Sequence, residues 1–105
     1  MVGEKMRTRE MTLADYGVPP EDQSRLYEHC RQADVSDRLL LIQCAISAAP
    51  GLEVAVYDSL VNDVGYDTIN RFRTIPAKRD DFYAYRRKTL AVFYDLLRLS
   101  GRWED

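Results

Sequence analysis

Apolar residues along this chain recur at three- and four-residue intervals and nowhere sustain a two-residue alternation, so the pattern predicts helices and no strand. "VPPEDQSRLYEHCRQAD" sets prolines and acids ahead of a Leu26, Cys30, Ala33 stripe. Proline lacks the amide that a first helical turn leaves unpaired, and carboxylates suit the positive end of the helix dipole. A helix over 20–33 is expected. "VSDRLLLIQCAISAAP" follows, with Ser36 placed as an N-cap and Pro50 closing a helix over 37–49. Its leucines, isoleucines, alanines and Cys44 wrap nearly all round, the pattern of a helix buried at the centre of a small bundle. In "PGLEVAVYDSLVNDVG", Leu52, Val56 and Leu60 repeat at four-residue steps before Gly65, predicting a helix over 51–64. "YDTINRFR" reads as a short segment over 66–73 anchored by Ile69 and Phe72. After the direction-breaking "IP", a long helix is expected over 78–99, its inward line formed by Phe82, Leu90, Phe93 and Leu97. Residues 1–14, beginning "MVGEKMRTREM", read as a flexible tail. The expected fold is all-α: a single-domain five-helix bundle over 15–103, in which two N-terminal helices brace a C-terminal tri-helical unit.

Composition narrows the function classes. A chain of 105 residues, 46% hydrophobic and 30% charged, is of a size and balance that folds as one domain. No apolar run approaches the roughly 18–20 residues that span a bilayer, so no membrane partner is expected. The amino terminus is charged where a signal peptide needs an apolar stretch, which makes the cytoplasm the expected location. Cys30, Cys44 and the single histidine, His29, are too few and too widely spaced for a zinc site, so neither metal nor cofactor is expected. His29 and Cys30 are adjacent, so on a helix their side chains diverge and cannot act as a dyad. The five glycines are scattered and form no phosphate loop, and Asp58, Asp63 and Asp67 lack the spacing of a calcium loop. No catalytic constellation emerges, and the chain reads as a non-enzyme. Trp103 is expected to pack back on the bundle.

Charge changes the picture most. From Leu13 to Asp67 ten acids face three bases, a net of −7, whereas from Arg71 to Arg102 nine bases face three acids, a net of +6. The overall charge of −2 therefore conceals a basic region, and local charge decides what a surface attracts. Its densest part is "RTIPAKRDDFYAYRRKTL", where tyrosines interleave the bases. With Phe82 turned to the core, Tyr83 and Arg87 fall on one outward line four residues apart. A short helix, a turn and a longer helix with a basic first half describe a helix-turn-helix at about 66–99, whose second helix enters the major groove. Asp80 and Asp81, in that helix's first turn, complement its dipole but would repel a phosphate.

The segment "GYDTINRFRTIPAKRDDFYAYRRKTLAVF", Gly65 to Phe93, resembles the helix-turn-helix of sigma-factor region four. It is closer still to the small phage late-gene transcription regulators of the ArpU and RinA type. "GYDTIN" corresponds to the first helix of that pattern, Ile75 to the apolar turn residue, Phe82 to the inward anchor and "RRKTL" to the middle of the reading helix. The connection is about two residues longer than in the pattern, and Arg73 stands where an apolar residue belongs. The resemblance implies a non-catalytic, sequence-specific DNA-binding transcription regulator of phage or prophage type, without cofactor. It would act on double-stranded DNA, with host RNA polymerase or as a repressor. Arg71, Arg73, Lys78, Arg79, Arg87 and Lys88 are the candidate phosphate anchors, and Tyr83, Arg86 and Arg87 the candidate base-edge readers. The rival reading is a protein-interaction module whose basic, tyrosine-rich face binds an acidic partner.

Overall fold

The structure is a computed structural model and describes residues 7–103. Five α-helices follow a single 3-10 turn, Thr8–Glu10: α1 Pro20–Arg31, α2 Val35–Ala48, α3 Glu53–Asn62, α4 Tyr66–Phe72 and α5 Arg79–Leu99. Among the described residues there is no strand, and the chain is an all-α helical bundle. No described helix is long and apolar enough to cross a membrane.

The helix ends follow local chemistry. α1 opens with Pro20 in its first turn and Glu21 and Asp22 beside its unpaired amides. α2 is capped by Asp34, not by Ser36. Asp34 holds the extended backbone that a cap requires, and its carboxylate accepts the Asp37 amide at 2.8 Å. Ser36 lies within the first turn, where its hydroxyl accepts from Arg102 at 3.2 Å. α3 stops at Asp63, whose left-handed backbone (φ 54°, ψ 49°) reverses the chain.

The interior is organised around α5, which departs from the expectation that α2 is the buried centre. α5 buries Phe82, Ala84, Thr89, Leu90, Ala91, Phe93, Tyr94 and Leu97, more than half of its circumference, and packs chiefly on α2 and also on α3, α4 and the amino-terminal segment. α2 buries Leu41, Cys44, Ala45 and Ala48 on one side and leaves Val35, Leu39 and Ile46 in solvent. The longer helix, with its large aromatic side chains, offers more apolar surface to its neighbours and takes the middle. Phe72 is a second departure: expected as an anchor of α4, it is 83% exposed. The chain leaves α4 in an extended conformation at Arg73, and Ile75 turns inward instead, its amide donating to Asn70 Oδ1 at 2.8 Å.

The amino-terminal segment also differs from the expected tail. Residues 1–6 lie outside the described residues. From Arg7 onward the chain packs along α5, and Leu13 and Val18 enter the core. At the other end Trp103 packs inward, edge-on to Tyr94 at 5.3 Å and beneath the Arg25 guanidinium at 4.7 Å. Cys30 and Cys44 are buried thiols, and desolvation pushes them up to about 12 and about 11.

Two polar contacts, one buried and one part-buried, tie α1 to other helices. Tyr94 on α5 donates to Asp22 on α1 at 2.6 Å. His29 Nε2 lies 2.9 Å from Asp37 Oδ2, and the Arg102 guanidinium meets the same carboxylate. Burial, and then the positive charge of Arg102, hold the His29 imidazole below its usual range. Neutral His29 therefore donates to a carboxylate whose charge Arg102 already balances.

Tyr94→Phe should destabilise the protein by about 1.5–3 kcal/mol in urea unfolding, the range for losing a hydrogen bond to a charged group. His29 binds protons less readily when folded than at the unfolded value of 6.5, so its neutral form is the folded one. Its contribution is complete above that value and declines as pH falls through the lower folded value. Unfolding free energy should drop as pH falls below the unfolded value of 6.5, and His29→Gln should flatten that drop.

Candidate functional site

The basic residues divide into two groups by what they touch. Those on the first half of α5 are largely engaged within the fold. Arg86 donates to Ser59 Oγ at 3.0 Å, and Ser59 in turn donates to the Val64 carbonyl at 2.6 Å. Its guanidinium lies 4.7 Å from the ring centre of Tyr83 and 5.4 Å from that of Tyr27. Arg86 thus joins α1, α3 and α5. Stacking between two aromatic faces stabilises a cation that burial would otherwise penalise.

Arg87 is held from the other side. It donates to the Met11 carbonyl at 2.8 Å and the Arg9 carbonyl at 3.2 Å, fastening the amino-terminal segment to α5. Arg9 then meets Asp80 at 3.3 Å and Asp81 at 3.2 Å, so these acids pair with the segment besides serving the dipole of α5. Tyr83 directs its hydroxyl back to α4, accepting the Tyr66 amide at 2.9 Å and supplying the cap that Gly65 cannot. A Cβ at Gly65 would stand 3.0 Å from that hydroxyl, so the absent side chain is what admits it. Lys88 is half-buried. The three expected base-edge readers, Tyr83, Arg86 and Arg87, therefore serve as internal ties. Lone spacing on one helix could not reveal this, because every hydrogen-bond partner of the three comes from another element.

The second group lies at the end of α4, in the six-residue connection and at the first residue of α5. Arg71, Arg73, Lys78 and Arg79 are all exposed, and the run from Arg71 to Arg79 contains no acid. Arg73 meets Asp58 at 3.3 Å, and Arg79 takes Asp67 with both terminal nitrogens at 2.9 and 2.8 Å. These are exposed ion pairs, worth about 0–1 kcal/mol each, and are readily exchanged for another anion. Between Arg71 and Arg73 stands the exposed ring of Phe72. The apolar spacing of α4 places that ring in the core, and the fold does not. Its flanking arginines, and Ile75 three residues on as a rival anchor, were the signals against it.

Elsewhere, a cleft of about 640 Å³ is lined by Arg25, Glu28, His29, Arg31, Arg102 and Trp103, and its charges pair internally through Arg31–Glu28 and Arg102–Asp37. Among the described residues no group of three or more His, Cys, Asp or Glu side chains could hold a metal ion. Comparison with models of known protein families, with curated proteins and with solved structures finds no match to this chain.

Arg86→Ala should lower stability by about 1–3 kcal/mol, through the lost hydrogen bond and the lost stem packing, with a matching fall in Tm. Phe72→Ala should change it by no more than about 0.5 kcal/mol, as befits a solvent-exposed ring.

Proposed function

We propose that this protein is a non-catalytic DNA-binding regulator that meets its duplex with the end of α4 and the α4–α5 connection. The observation that carries the reading is Phe72, 83% exposed between Arg71 and Arg73, with Lys78 and Arg79 close along the chain. An exposed aromatic ring is free to stack on or pack against a base, and the arginines on either side of it favour a polyanion. In this reading Arg71 and Lys78 contact phosphates directly, while Arg73 and Arg79 exchange Asp58 and Asp67 for phosphate oxygens. Phe72 supplies an apolar contact, either against a thymine methyl or wedged at a base step.

The regulatory role and the sequence preference rest on the resemblance of Gly65–Phe93 to phage late-gene regulators. The docking differs from that pattern: α5 acts as a scaffold, because Tyr83, Arg86 and Arg87 are engaged within the fold. An acidic protein partner is the competing occupant of the same surface.

Fluorescence anisotropy with a labelled duplex tests the proposal. Affinity should fall steeply with salt, and each phosphate-contacting cation removed, Arg71→Ala or Lys78→Ala, should lower the log–log salt slope by about 1. Phe72→Ala should weaken binding at least about tenfold while the fold is retained. Absence of duplex binding at about 50 mM salt would end this reading. Selection from random duplexes then measures specificity.

A further inference from the structure

The outer face of α2 is a regular apolar stripe left in solvent, on a different helix from the cationic end of α4. Val35, Leu39, Ile42 and Ile46 follow one another at steps of four, three and four, the spacing of a coiled-coil seam. They lie on the side of the helix away from Leu41, Cys44, Ala45 and Ala48, which face the core. Val35 is 73% exposed, Leu39 59% and Ile46 54%, with Ile42 half-buried beside them.

A helix face built to meet water carries charge, yet no charged residue occurs from Leu39 to Ala48 in a chain that is 30% charged. Depletion of charge around an apolar centre is the composition of an interface core.

We infer that α2 pairs with α2 of a second copy, antiparallel about a two-fold axis. The stripe is self-complementary in that arrangement. Val35 falls opposite Ile46 of the second copy, Leu39 opposite Ile42, Arg38 opposite Gln43 and Asp34 opposite Ser47, so no like charges meet. The helix dipoles then oppose, which is favourable, whereas a parallel pair would align them and set Asp34 on Asp34 and Arg38 on Arg38. Val35, Leu39 and Ile46 form the apolar centre of the contact, with exposed Arg38, Gln43 and Ser47 at its rim. With no charge along the seam to select a different partner, the two-fold pairing is the one that satisfies both registers at once.

Sedimentation velocity on the full chain from about 1 to about 100 µM should show a monomer–dimer equilibrium. Leu39→Glu should raise the dissociation constant at least about 100-fold with unchanged circular dichroism, and Phe72→Ala should leave it unaltered. Orientation is read by oxidative cross-linking of Val35→Cys and Ile46→Cys chains. In the antiparallel pair each lies about 16 Å along the axis from its own copy but opposite the other, so disulfide forms only in the mixture. Native Cys30 and Cys44, buried and with raised pKa values, stay out of the reaction. A monomer throughout, an unaffected Leu39→Glu dimer, or cross-linking of each variant with itself alone would overturn the inference. None of these outcomes depends on duplex binding.

Discussion

Burial of α5 across more than half of its circumference is the constraint from which the other features descend. Phe82, Leu90, Phe93, Tyr94 and Leu97 place large side chains along one helix, and α2, α3, α4 and the amino-terminal segment all close on it. Once that helix is enclosed, its polar residues need partners inside the protein, because a cation or hydroxyl stripped of water without compensation is costly. Arg86 finds Ser59, Tyr27 and Tyr83, Arg87 finds two carbonyls, and the Tyr83 hydroxyl finds an orphan amide of α4. What reads in one dimension as a basic, aromatic surface is in three dimensions a set of ties.

The same constraint governs the charge. The acidic stretch and the basic stretch fold against each other: Arg73 meets Asp58, Arg79 meets Asp67 and Arg102 meets Asp37. Each pair joins a base of the C-terminal region to an acid of the preceding one. Most of these contacts are exposed and individually weak, so they serve mainly to lower the field between the two halves. The cationic character that survives lies between Arg71 and Arg79, a run that contains no acid and in which Arg73 and Arg79 pair with Asp58 and Asp67.

Two kinds of surface are then left over, on different helices and of different chemistry. The end of α4 carries Arg71 and Arg73 on either side of a projecting ring, the surface proposed to meet duplex DNA. The outer face of α2 is apolar and, from Leu39 to Ala48, without charge, the surface proposed to pair with its own copy. A two-fold pairing through α2 would present the α4 ends in symmetric duplicate, the arrangement that matches a palindromic duplex site. The two surfaces are nonetheless separable, since Leu39 and Phe72 lie on different helices and neither is buried in the core.

The helices themselves were legible in the chain. Expected bounds of 20–33, 37–49, 51–64, 66–73 and 78–99 fall close to the observed helices because prolines, glycines, acids and apolar spacing act over a few residues. The inward turn of Phe82 and Leu90 was legible for the same reason. Which apolar helix would occupy the middle was not. α2 is the more uniformly apolar, yet α5 took the centre, a choice that depends on how all five helices share their surfaces. Nor could spacing show that Ile75 would displace Phe72, or that Arg86 would reach Ser59 twenty-seven residues away and Arg87 would reach Met11 seventy-six residues away. Covalent neighbours decide where a helix starts and stops. Only the assembled fold decides which of its faces meets water, because burial is a competition among elements distant in the chain.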